Sequence, residues 1–375
     1  MTYKTNVIVI GAGQAGLAMS YQLKKRNIKH VVLEKEQTIA SSWRSRYDSL
    51  KTITPNWMNS LPGLDFPGDK DDFASREEVI DYIDDYSKLV QAPIQFNCEV
   101  QHLAKKDNIF FVKTTMGYYE AQHVIVATGP FQKVSIPDFS RKAKGIYQIH
   151  SSEYRNPSQL TGKSVLVVGS GNSGVQIAVE LSKKFNVYLS REQDFTLPRK
   201  LTGSVFQKIL EKLNILDRKV AKDEYETTHD LMWWMQHTGL YEMSVDSPLG
   251  KALANGGDPY LGESLETVMS DNHIQGMSSV EDINNNEIIF SDGMHLKPDV
   301  VVWATGFKND YSWIDTPVMD DAGKVVHQEG ISPVDGLYFL GLRWMRHADS
   351  GLLKGVGIDA EFIVDIITAN VKQIA

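Results

Sequence analysis

Two stretches of this chain share a grammar that few folds accept. Asn6-Val-Ile-Val-Ile-Gly11-Ala-Gly13-Gln14-Ala15-Gly16 is a short, wholly apolar, β-branched run that breaks at once into glycines. Ser164-Val-Leu-Val-Val-Gly169-Ser-Gly171-Asn172-Ser173-Gly174 repeats the pattern near the middle of the 375 residues. Helical spacing follows each, through Leu17, Tyr21 and Leu23 in the first case and Val175–Leu181 in the second. A second apolar run then closes each unit: His30–Leu33, ending at Glu34, and Asn186–Ser190, ending at Arg191. Strand, tight turn, helix, strand is a βαβ unit, and apolar runs without alternation mark strands buried in a parallel sheet.

Each glycine has a task in such a turn. The first, Gly11 or Gly169, allows a sharp bend. The second, Gly13 or Gly171, lets a pyrophosphate approach the backbone, and the third, Gly16 or Gly174, lets the helix lie close to the strand. The helix starts, with Gln14 and Ala15 in one unit and Asn172 and Ser173 in the other, offer N–H donors and a positive dipole end to phosphate. The units differ where the second strand ends. Glu34, followed by Lys35, is placed to accept hydrogen bonds from both ribose hydroxyls. Ser190 and Arg191 provide no acid there; a guanidinium pairs with a 2′-phosphate, and a hydroxyl can add a hydrogen bond. Arg199, after Pro198, is a second candidate cation for that phosphate. The acidic site reads as an FAD site and the basic one as an NADPH site. The plainer reading of Arg191 is a solvated surface arginine.

Two further pieces match each other. His123-Val-Ile-Val-Ala127-Thr128-Gly129 and Asp299-Val-Val-Val-Trp-Ala304-Thr305-Gly306 are buried strands that run into small-residue turns. The predicted fold is α/β, with two Rossmann-like dinucleotide-binding domains, the second nested in the first in a glutathione-reductase-like arrangement. The simplest layout gives residues 1–157 and 300–375 to an FAD-binding domain and 158–299 to an NADPH-binding domain, linked near Asn156-Pro157-Ser158. Residues 200–260 carry several aromatics and little β patterning, and read as a helical and loop insertion. Within it, Trp233-Trp234 with Met232 and Met235 read as core or interface, with a substrate- or partner-lining role as the alternative.

Composition narrows the functions. Lys and Arg number 39 against 47 Asp and Glu, a net charge of −8, the wrong sign for a general nucleic-acid binder. Cys98 is the only cysteine, which removes an internal disulfide, a CxxC redox pair and any cysteine-based metal cluster. It lies in a strand-like run and reads as a buried, inert thiol. The apolar runs are too short to span a membrane, and the first strand leaves no room for a signal peptide, so a cytoplasmic chain is expected. His229-Asp230 and His347/Asp349 lack metal-site spacing, and no serine sits in a nucleophile elbow. Asp69, Asp71 and Asp72 read as a solvated loop before a helix over Arg76–Val90.

Several local motifs, in order, carry a resemblance. The paired glycine turns, the two Ala-Thr-Gly turns and Gly145-Ile-Tyr-Gln-Ile-His150-Ser151-Ser-Glu-Tyr154 resemble the flavin-containing monooxygenases. Ser42-Trp43-Arg44, Tyr47-Asp48-Ser49-Leu50, Thr54-Pro55, Leu61-Pro62-Gly63, Val245–Gly250 and Leu353–Ala360 are similar to bacterial CzcO-type flavoproteins, and in part to plant YUCCA-type enzymes. The resemblance implies that Ser42, Trp43 and Arg44 lie along the flavin and that the backbone at Val100 holds its adenine. It implies that Thr128 and Gly129 cover the FAD, and that Leu353 to Val356 start a helix whose N-terminus points at the flavin pyrimidine, favouring an anionic reduced flavin. Ala304, Thr305 and Gly306 fall to the NADPH side. His150, Ser151 and Tyr154 take a structural, NADPH-linked role between the domains. Tyr154, where Baeyer–Villiger enzymes usually have Trp, leans toward the heteroatom-oxygenating or CzcO-type branch. Two places depart from the pattern. Ala143 replaces the opening Phe of the monooxygenase motif, with one extra residue before His150. Ile53 stands at the flavin-facing Asn and cannot donate a hydrogen bond.

The resulting expectation is an FAD-dependent NADPH oxidoreductase, a monooxygenase that inserts one oxygen atom of O2 into a small substrate through a C4a-peroxyflavin. No side chain is expected to act as nucleophile or metal ligand, because the flavin carries the chemistry. An NADPH:acceptor reductase or oxidase shares the first half-reaction. The non-catalytic alternative is a redox-sensing accessory protein for cation transport. The expected partners are a small-molecule substrate and O2, without nucleic acid or membrane insertion; a homodimer is compatible with this reading.

Overall fold

Both glycine-bounded runs become central strands of parallel sheets. The computed structural model describes residues 2–191, 196–212, 215, 218–240, 260–321 and 323–374, with 370–374 as backbone only. The first sheet runs in the order Leu337–Phe339, His123–Val126, Val7–Ile10, His30–Leu33, Ile94–Gln95. The second runs Tyr147–His150, Val300–Trp303, Ser164–Val168, Asn186–Ser190, Gln275–Met277. Every pairing in both sheets is parallel. Val7–Val9 and Val165–Val167 are wholly buried, which is why these strands tolerate no polar alternation. The fold is α/β with two Rossmann-type units, as the sequence predicts.

The strand Val300–Trp303 lies elsewhere than the boundary at 300 implies. It pairs with Ser164–Val168 and with Tyr147–His150, so both it and residues 147–150 belong to the second sheet. Three buried valines and a tryptophan suit the centre of either sheet, and composition does not choose between them. The second unit therefore begins before the Asn156-Pro157-Ser158 segment and extends through Trp303. The chain returns to the first unit through a small antiparallel pair, Phe307–Lys308 against Lys133–Val134. The C-terminal helix Leu353–Ile374 then buries Leu353, Val356, Ala360, Ile363, Val364 and Ile367 in the first unit's core.

Other elements place the site. The helix Arg76–Val90 starts at Ser75 with a reciprocal capping box to Glu78, and its buried face (Val79, Ile80, Tyr82, Ile83, Tyr86) enters the first core. Cys98 is buried in the connection between the strands Ile94–Gln95 and Val100–Lys106, not within a strand. In the 200–260 region, helices Gly203–Lys212 and Leu231–His237 pack with Leu201, Val220 and Leu261 into a separate apolar cluster. Residues 245–250 fall outside the described residues. Among the described residues no helix is long and apolar enough to cross a membrane.

Candidate functional site

The two glycine turns are built bond for bond alike. Gly11 N–H donates to Leu33 C=O at 2.8 Å, and Gly169 N–H to Ser190 C=O at 2.9 Å. The helices open with Leu17 N–H on Gly13 C=O and Val175 N–H on Gly171 C=O, both 3.0 Å. The neighbouring strands are tied in by Ala127 N–H to Ile10 C=O at 2.9 Å and Ala304 N–H to Val168 C=O at 2.8 Å. Gly11 and Gly169 take φ of 105° and 110°, where a side chain is strained. A Cβ at Gly16 would stand 1.8 Å from Gly11 O, and one at Gly174 would stand 1.8 Å from Gly169 O. At Gly13 and Gly171, by contrast, a Cβ would meet nothing within 4 Å. Each turn is thus closed by backbone at two glycines and open at the middle one, in front of a helix start whose N–H groups point outward.

Glu34 is buried at the rim of the first cradle. Its Oε2 accepts from Ala12 N–H at 2.7 Å and its Oε1 from Glu36 N–H at 3.0 Å, which fixes the carboxylate over the turn. A carboxylate offers about four acceptor sites, so others stay open to hydroxyls. Lys35 is exposed, 3.8 Å from Glu36. Ser190, expected to add a hydrogen bond to a 2′-phosphate, stands at the matching place in the second unit. Its hydroxyl is buried and donates to Ser278 C=O at 2.8 Å, so its one proton is spent inside the protein. Arg191 is anchored there by its N–H to Met277 C=O at 3.2 Å. Arg199 is the second cation expected there. It is half-buried with its guanidinium 3.9 Å over the ring of Phe73 in the first unit, and burial lowers its pKa while Asp230 opposes that. It is a contact between the units, beside Ile53, Leu231, Met232 and Leu261.

Segments far apart in sequence converge on the first cradle. Trp43 Nε1–H donates to Gln14 Oε1 at 3.1 Å, and Gln14 Nε2 donates to Gly351 C=O at 3.3 Å. Gln14 thereby joins the glycine turn, the 41–44 helix and the approach to Leu353. Arg44 turns away: it donates to both oxygens of Asp84 at 2.6 Å on the helix Arg76–Val90, and holds that helix instead. Ser42 is exposed. Val100 opens the strand Val100–Lys106 just before a register shift against Ile109–Thr114. Thr128 accepts from Gln132 Nε2 at 2.9 Å, and Thr305 donates to Ser135 C=O. Gly129 and Gly306 both take positive φ, 69° and 77°.

The turns of the two units meet. Phe131 and Phe307, each just past an Ala-Thr-Gly turn, pack edge to face at 5.1 Å, with Arg46 3.8 Å over the Phe131 ring. His150 packs on Phe307 and sits 3.2 Å by Nε2 from Gly306 O, while its Nδ1 receives Ser152 N–H at 3.2 Å. Burial lowers its pKa, so it is a neutral imidazole protonated on Nε2, a structural tie. Tyr154 is wholly buried and donates to Glu180 at 2.7 Å.

Trp234 is core: it is fully buried, with Nε1–H on Leu201 C=O at 2.9 Å. Trp233 stacks between His229 (3.7 Å) and His237 (4.4 Å), and with Trp57, Lys70 and Asp71 lines an open cleft of about 510 Å³.

The His347/Asp349 pair, set aside above for its spacing, belongs to a larger buried ionic cluster. His347 bonds Asp349 through Nδ1 and lies 3.2 Å by Nε2 from Asp359, with Arg346 Nη1 3.3 Å from the same Asp359. Both aspartates are wholly buried. Burial alone would lower the His347 pKa; hydrogen bonds to Asp349 and Asp359 overcome it and push it up to about 9. Asp359 lies within the C-terminal helix, so only the folded chain brings it to His347.

A family model for pyridine nucleotide-disulphide oxidoreductases matches residues 8–228, more than half of the chain. The chain belongs to this family. It is an oxidoreductase, and the family is one of flavin and NAD(P) proteins. A CzcO-like oxidoreductase of Geobacillus kaustophilus is 42% identical over 370 residues, 98% of this chain and 99% of the relative. Indole-3-pyruvate monooxygenase YUCCA1 of rice (Oryza sativa subsp. japonica) is 28% identical, covering 91% of this chain and 87% of its own. Among solved structures, a flavin-containing monooxygenase from Stenotrophomonas maltophilia superposes with a TM-score of 0.74 at 23% identity, covering 98% and 99% of the two chains. The pyridine nucleotide-disulphide oxidoreductase frame accounts for both glycine turns; with a single cysteine, the chain has no redox-active disulfide of its own.

Proposed function

We propose that the first cradle holds FAD, that the second holds NADPH, and that the protein is a flavin monooxygenase acting on a small substrate. The observation that carries this reading is the doubled cradle, in which Gly13 and Gly171 alone leave room for a ligand against the backbone. In this reading Gly11, Gly13, Gly16 and Glu34 take the FAD phosphates and ribose. Gln14, Trp43 and the start of the helix Leu353–Ile374 border its ring. Gly169, Gly171, Gly174 and Arg191 take NADPH, with the Ala304–Gly306 turn above. A bound flavin supplies a hydride acceptor and a site for dioxygen chemistry. The protein's part is to hold and orient; His150, neutral and tied to Gly306, moves no proton. The names of the rice and Stenotrophomonas relatives favour oxygen transfer over simple oxidation. The test is to follow NADPH consumption and hydrogen peroxide release in air, across a panel of small thioethers, amines and 2-oxo acids. At least one compound should suppress peroxide release while NADPH consumption continues. Peroxide released mole for mole with every compound supports an oxidase instead.

A further inference from the structure

The helix Asn172–Ser182 carries one side chain that reaches across to the first unit. Gln176 stands one turn beyond the Gly171 cradle. Its Oε1 accepts from Lys51 N–H and from Tyr47 O–H, both at 3.1 Å, and its Nε2 donates to Lys51 C=O at 3.1 Å. The amide pairs with Lys51 as a neighbouring strand would, which also fixes its orientation, since the reversed amide would face donor to donor. The partners are themselves held. Lys51 bridges to Ser75, the cap of the helix Arg76–Val90. Tyr47 is 2% exposed, contacts the second unit's core and also bonds Ser173; burial pushes its pKa up to about 12, so it stays a neutral donor. Asp48, next in the chain, accepts from Asn156 Nδ2 at 2.7 Å and from Arg76 Nη1 at 2.7 Å. Trp43, on the same segment, is bonded to Gln14 of the first cradle.

We propose that Gln176 is a positioning residue. It locks the helix of the second cradle to the 43–51 segment of the first and so sets the distance between the two bound nucleotides. The inference rests on the proposed FAD and NADPH sites. Hydride transfer is steep in distance, and a misplacement of about 1 Å can cost about a hundredfold. The Gln176 amide spends its bonds on Lys51 and Tyr47 of the first unit, so binding and transfer should separate.

The experiment compares wild type, Gln176→Leu and Tyr47→Phe in anaerobic single-turnover reduction by NADPH. NADP⁺ binding to the oxidised holoprotein is measured by calorimetry, together with FAD content and thermal unfolding. Gln176→Leu should slow reduction at saturating NADPH by about ten- to a hundredfold, with NADP⁺ affinity, FAD content and unfolding temperature close to wild type. Tyr47→Phe, which removes one of the three Gln176 bonds together with the bond to Ser173 at the cradle, should slow it less, with any loss of NADP⁺ affinity confined to this variant. Two results overturn the proposal: reduction at the wild-type rate in Gln176→Leu, or rate loss matched by equal loss of NADP⁺ affinity or of stability in both variants. Wild-type protein that NADPH does not reduce at all refutes the nucleotide assignment itself, and the positioning role with it.

Discussion

An alanine at Gly13 and an alanine at Gly16 are different experiments. Gly13 has an ordinary φ of −77°, and a Cβ there meets nothing within 4 Å, so Gly13→Ala leaves the apo fold intact. The same methyl occupies the approach of a pyrophosphate. Purified Gly13→Ala should therefore be colourless or nearly so and unfold at the temperature of flavin-free wild type. Gly16→Ala, with Gly11 O at 1.8 Å, should lower the yield of folded protein outright. Arg191 tests the second cradle. A charge-assisted bond to a 2′-phosphate is worth about 1.5–3 kcal/mol, so Arg191→Ala should erase roughly ten- to a hundredfold of NADPH preference and spare the NADH reaction. A mutant that keeps its full preference makes Arg191 a surface arginine. His347 gives a pH signature. Its folded pKa, about 9, lies above the unfolded value, so its contribution is fully present below the unfolded value and is lost as pH rises through about 9. Wild-type unfolding temperature should drop more steeply across that window than that of His347→Gln. Loss of the imidazole itself leaves two buried carboxylates with one guanidinium, at a cost of about 3–5 kcal/mol at neutral pH.

At the scale of elements, the C-terminal helix is set by one close approach. A Cβ at Gly357 would lie 2.6 Å from Pro62 Cγ, so the helix rests directly on the Leu61-Pro62-Gly63 turn. Gly357→Leu should push it off and destabilise the fold by about 1–3 kcal/mol in denaturant unfolding, with FAD retention reduced as well. The strands and both glycine helices were legible because burial on both faces and glycine spacing are local signals, and the helix Arg76–Val90 stands where the sequence places it. Strand pairing was not. Val300–Trp303 fits either sheet by composition, and only the fold says that it pairs with Ser164–Val168. Side-chain partners were hidden for the same reason. The partner that spends the Ser190 proton is Ser278, and the ring under Arg199 is Phe73, both far away in sequence. The Gln176 lock and the His347 cluster likewise depend on tertiary neighbours that no spacing rule announces.

At the scale of the whole molecule, two similar units face each other through the Phe131–Phe307 contact, the short strand pair beneath it and the Gln176 lock. The arrangement makes sense if one nucleotide stays and the other visits. The most direct test is to purify the protein, identify any chromophore released on unfolding, and mix the holoprotein with NADPH without oxygen. One FAD per chain is expected, with rapid loss of the yellow absorbance on adding NADPH and much slower loss with NADH at equal concentration. Colourless protein that takes up no added FAD, or a bound flavin that NADPH leaves oxidised, would contradict it.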